Sequence, residues 1–159
     1  MSRGLIEAAG AARPPSAGGW WPERAARVLV VYLEGRRGDA ALREAAELAS
    51  GGAELAVVTL APQAKPMRCC KGGGAGPYNC AVKDAAGEEL EMARAALGGL
   101  AARASFTKLL GTPWPPLAEW SAERCFDVAI VPRERFARGG GRIARELRAA
   151  TASDVRLVG

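Results

Sequence analysis

The chain has 159 residues, a formal net charge of +5 and no histidine. That size makes one domain with room for a tail, and such a core buries roughly 68–70% of the unfolded surface without a metal or disulfide staple. Without histidine there is no Ser-His-Asp triad, no Cys-His dyad, no histidine-ligated metal and no imidazole general base.

Residues 1–26 read as a tail, interrupted by Pro14, Pro15, Gly18, Gly19 and Pro22 and carrying no strand pattern. Trp20 and Trp21 are the exception. Two adjacent indoles are costly to leave in water, so they are expected to dock on the body or on a protein partner. A domain is expected over 27–159. Val28-Leu29-Val30-Val31 is a short, continuous apolar run, the pattern of a strand buried on both faces. Gly35 and Gly38 end it, and Asp39 is the expected N-cap of a helix over 40–49, with Leu42, Ala45, Ala46 and Ala49 at helical spacing. Gly51 and Gly52 stop that helix, and residues 53–60 form a second buried strand. A long loop rich in Pro, Cys and Gly is predicted from 61 to about 83. Asp84 then opens a second helix, with Leu90, Ala93, Leu97 and Leu100 on one face. The third strand covers 106–110. Pro113, Pro115 and Pro116 turn the chain into a short helix carrying Leu117 and Trp120. The fourth strand covers 128–131, a helix with Ile143 and Leu147 follows Gly139-Gly140-Gly141, and the last strand covers 155–158.

Alternating strands and helices with buried strands predict an α/β fold: a doubly wound, Rossmann-like parallel sheet of five strands with helices on both faces. No apolar run approaches the roughly 20 residues that cross a bilayer, and no compact apolar leader with a cleavage site is found, so a cytoplasmic protein without a membrane partner is expected.

In open α/β sheets ligands bind beyond the carboxyl ends of the strands, where strand order reverses. With strands one and four as central neighbours, the relevant segments follow Val31 and Val131. The first contains Glu34 and Gly35; the second contains Arg133, Arg135, Arg138, Gly139, Gly140 and Gly141. Residues 133–148 hold six arginines against two glutamates, a net +4 of the chain's +5. Glycines entering a helix let backbone N–H groups approach an anion, and arginines add bidentate contacts, so the pattern points to a phosphate-bearing ligand. The alternative is a solvated basic loop whose glycines serve only as a connection. No lysine-bearing phosphate loop, no G-x-G-x-x-G after the first strand and no G-x-S-x-G elbow is present, so binding is expected rather than catalysis.

Residues 27–159 resemble the universal stress protein family. The resemblance lies in Val28–31 opening the sheet, the alanine-rich stretch 39–49, Gly111-Thr112-Pro113 after the third strand, and Phe126-Asp127-Val128-Ala129-Ile130-Val131. It implies strand order 3-2-1-4-5, ATP or another adenine nucleotide as ligand, and homodimers, for which the edge of the final strand is the expected contact. Nucleotide-binding members carry an Asp just after the first strand, where this chain has Tyr32, Leu33 and Glu34. They also carry G-x-x-G, nine residues, then Gly with Ser or Thr after the fourth strand; here the glycines sit together at 139–141. The chain is thus a divergent relative with the ATP-binding motif not intact.

The leading expectation is a non-catalytic, stress-related regulatory module. Gly139, Gly140 and Gly141 would contact phosphate, Arg133, Arg135 and Arg138 would neutralise charge, and Glu34 beside Gly35 would meet base or ribose. A second reading is thiol redox or metal chemistry at Cys69, Cys70 and Cys80, with Cys125 as a fourth metal ligand; their C-C-x9-C spacing is not that of a zinc site. A third is a ligand-free interaction subunit using Trp20, Trp21 and the final-strand edge. Nucleic acid is disfavoured: the basic charge fits, but there is no groove-reading motif and few aromatics to stack bases.

Overall fold

The computed structural model describes residues 25–66, 74–133 and 141–159. Trp20 and Trp21 lie outside them. The elements are β1 (Arg27–Val31), α1 (Arg36–Ser50), β2 (Glu54–Pro62), α2 (Ala75–Leu97), a 3-10 turn (Gly98–Arg103), β3 (Ala104–Gly111), α3 (Leu117–Arg124), β4 (Val128–Pro132), α4 (Gly141–Ala150) and β5 (Asp154–Val158). They build one five-stranded sheet in the order β3-β2-β1-β4-β5, every pairing parallel.

Side chains alternate across a strand, so each central strand feeds two cores. Val28 and Val30 of β1, with Leu55, Val57 and Ile130, pack against Ala41, Leu42 and Ala45 of α1 and Ala93 and Leu97 of α2. The intervening Leu29 and Val31, with Val58, Ala129 and Val131, pack against Leu117 of α3 and Ile143 and Leu147 of α4. Right-handed crossovers require this division: the chain winds from β1 to β3 over one face and returns to β4 and β5 over the other. Thr59 is a buried polar residue in this layer structure, and its Oγ1 donates to the Ala86 carbonyl of α2 at 3.0 Å. Asp127, just before β4, accepts the Arg27 backbone N–H at 2.7 Å, which ties the starts of β4 and β1.

Two helix starts differ from the sequence expectation. Asp39 is not the N-cap of α1. The helix begins at Arg36 after Gly35, whose φ of 103° suits glycine, and Asp39 lies in the first turn with its backbone N–H bonded to the Gly35 carbonyl. Gly38 is needed there for a different reason: a Cβ on it would lie 1.7 Å from the Leu33 carbonyl oxygen. Helix α2 starts at Ala75, so the last nine residues of the predicted loop to 83 are helix. Pro77 sits in the first turn, where its missing N–H has no helical partner to lose, so the Gly-Pro signal marked a start instead of a loop. Among the described residues no helix is long and apolar enough to cross a membrane.

Candidate functional site

Strands β1 and β4 are direct neighbours, yet the chain leaves them toward opposite faces, into α1 and into α4. This is the topological switch point of the sheet, beyond which open α/β folds take their ligands. The β1 exit is acidic. Tyr32 is buried and continues the ladder, its N–H donating to the Val58 carbonyl at 2.8 Å. Its phenol is held above the usual tyrosine range by burial first, then by the negative charges of Asp39, Glu89 and Glu34 and a hydrogen bond to Asp39. Glu89, reaching over from α2, titrates above the ordinary carboxylate range because it is partly desolvated; the nearby Glu34 charge adds to this, and a bond from the Glu34 backbone opposes it.

The β4 exit is basic. Arg133 is exposed, and its backbone N–H donates to the Val158 carbonyl of β5 at 2.9 Å. Arg37, from the first turn of α1, reaches the β4 exit and donates Nη1 to the Arg133 carbonyl at 2.7 Å. Among the described residues neither guanidinium has a carboxylate partner, whereas Arg156 is paired with Glu44 and Asp154. Arg142, in the first turn of α4, is also answered. Its Nε lies 2.7 Å from Glu146 Oε1, its guanidinium stacks on the Trp114 ring at 4.2 Å, and Trp114 Nε1 donates to Glu146 Oε2 at 3.0 Å. That closed cluster ties the turn after β3 to α4.

Of the residues expected at this site, Glu34, Gly35, Arg133 and Gly141 are found at the two strand exits and the start of α4, Gly141 with a φ of 78°. Arg135, Arg138, Gly139 and Gly140 lie outside the described residues, as do Cys69 and Cys70. Cys80 is exposed in the second turn of α2, beyond the carboxyl end of β2. Cys125 does not join it as a metal ligand. It follows α3 and precedes β4, at the amino end of the parallel sheet, so the sheet itself separates the two thiols. Among the described residues no group of three His, Cys, Asp or Glu side chains is arranged to hold a metal.

Sequence reasoning missed the partnership of Arg37 with Arg133 and the Trp114–Glu146–Arg142 cluster. It also missed a cavity of about 590 Å³ beyond β2 and β3, between residues 62–66, the first turns of α2 and Pro113. The one available signal was Asn79, the sole asparagine of the chain, whose side-chain amide accepts from the Ala64 N–H at 2.8 Å and donates to the Ala64 carbonyl at 3.1 Å.

No protein-family model and no curated protein matches the sequence. Solved structures do match the fold. The universal stress protein UspA from Lactobacillus plantarum superposes with a TM-score of 0.62 at 13% identity, over 87% of this chain and all (100%) of that one. A universal stress protein from Archaeoglobus fulgidus gives 0.56 at 19% identity, over 84% and 93% of the two chains. The Archaeoglobus fulgidus protein in complex with dAMP gives 0.54 at 20% identity, over 86% and 98%. The shared sheet order, the two helical layers and this near-complete coverage lead to one conclusion: the chain has the universal stress protein fold.

Proposed function

We propose that the chain is a non-catalytic, stress-related regulatory module that binds an adenine nucleotide, or another phosphate-bearing anion, at the switch point between the β1 and β4 exits. The observation that carries this reading is the Arg37–Arg133 junction: the Arg37 guanidinium sits on the Arg133 carbonyl at the switch point, Arg133 is exposed beside it, and neither side chain has a carboxylate partner among the described residues. Positive charge is thus left unanswered at the switch point, and a phosphate is the ligand that uses it. Glu34, at the β1 exit, is suited to hydroxyl or amino groups of the sugar and base. The dAMP complex of the Archaeoglobus fulgidus protein, on the same fold, supports the same ligand class.

Calorimetry with dAMP and ATP at low ionic strength tests this. Saturable binding is expected, weakening as salt screens the arginines. Arg37→Ala and Arg133→Ala should each reduce affinity about tenfold, the loss of one charge-assisted contact. Absence of heat at millimolar nucleotide, or unchanged affinity in both variants, overturns the assignment.

A further inference from the structure

The 590 Å³ cavity beyond β2 and β3 lies away from the switch point, on the far side of β2 from β1. Its size is within the roughly 300–1,000 Å³ of small-molecule sites. Its walls are held before any ligand arrives. The two Asn79–Ala64 hydrogen bonds staple the segment after β2 to α2, and the Gln63 N–H donates to the Gly111 carbonyl at 2.7 Å, carrying the β2–β3 ladder one residue further. Pro62, Pro66 and Pro113 add rigid apolar surfaces. Little ordering entropy would therefore be lost on binding.

We infer that this cavity is a second binding site, for a small planar aromatic carboxylate. Three features of the lining select that chemistry. Tyr78 stands at the rim with half of its surface (50%) exposed, and offers a ring for offset stacking. Lys65 is the one charged side chain in the described lining, and no carboxylate stands beside it there, so an anion is favoured. The Gln63 amide supplies a neutral donor and acceptor. Gly74 caps α2 without a side-chain acceptor, so the positive helix end adds to the field of Lys65.

Titration of the 15N-labelled full chain with 2-naphthoate, followed by amide chemical shifts, tests the assignment. Saturable shifts are expected at Gln63, Ala64, Ala75 and Asn79, with Glu34 and Arg133 unmoved. Tyr78→Leu should weaken binding about fivefold through lost stacking, and Lys65→Gln about threefold through lost charge attraction. Both side chains are on the surface, and their spectra without ligand report whether the fold is kept. dAMP should not displace 2-naphthoate, and the Arg133→Ala variant should bind it as the native chain does. Shifts that never saturate, shifts centred on Arg133, displacement by dAMP, or native affinity in both cavity variants overturn the assignment, whatever the outcome of the nucleotide experiment.

Discussion

Gly38 carries the tightest steric demand at the β1 exit. Its missing side chain lets the first turn of α1 sit against the Leu33 carbonyl, and that contact fixes where Arg37 begins its reach to Arg133. Gly38→Ala would force backbone to move, because the listener on the other side is a carbonyl and not the end of a side chain. The expected cost is about 2 kcal/mol, seen as a lower urea midpoint, with weaker dAMP binding as the turn shifts. The sequence marked Gly38 as a break but not its reason. The approach of the Leu33 carbonyl to 1.7 Å from the would-be Cβ comes from how the chain bends into the first turn of α1, which composition does not record. The same holds for Arg37, whose partner is 96 residues away in the chain.

At the scale of elements, α2 meets the β1 exit through Glu89. Burial holds this carboxyl above its ordinary range, so its protonated form is favoured in the folded state. The stability it contributes is present at pH below the unfolded carboxylate pKa, about 4.3, and is lost as pH rises through the higher folded value. Glu89→Gln removes the charge and keeps an acceptor for the Glu34 backbone. The variant should therefore melt higher than the native chain at neutral pH, and the gap should close as pH falls below the carboxylate range. A native chain that melts at the same temperature as the variant at every pH contradicts this. Most elements were legible, because continuous apolar runs and glycine stops are local signals. The start of α2 was not: Gly74, Gly76 and Pro77 are loop formers by composition, and the hydrogen bonds between Asn79 and Ala64 that tie this turn to the end of β2 join residues 15 apart in the chain.

For the whole molecule, the decisive feature is a sheet covered on both faces. Ile130 in β4 is fully buried against the α1 and α2 layer, while its neighbours Ala129 and Val131 serve the other core. Ile130→Ala should cost about 3 kcal/mol, and because both cores hang on the same central strands the chain should still unfold in one transition with an unchanged denaturant slope. A split transition in chemical denaturation would contradict that. The amino-acid sequence by itself determined the alternation of strands and helices, the doubly wound class and which segments leave the central strands, because hydrophobic period and crossover handedness are set locally. Glu34, Gly35, Arg133 and Gly141 were found at those exits by that rule. Only the tertiary structure decided which of the described arginines are answered by carboxylates, which end of the sheet Cys80 and Cys125 each occupy, and that a cavity lies beyond β2. Those depend on contacts between residues far apart in the chain, where no local pattern records the partner.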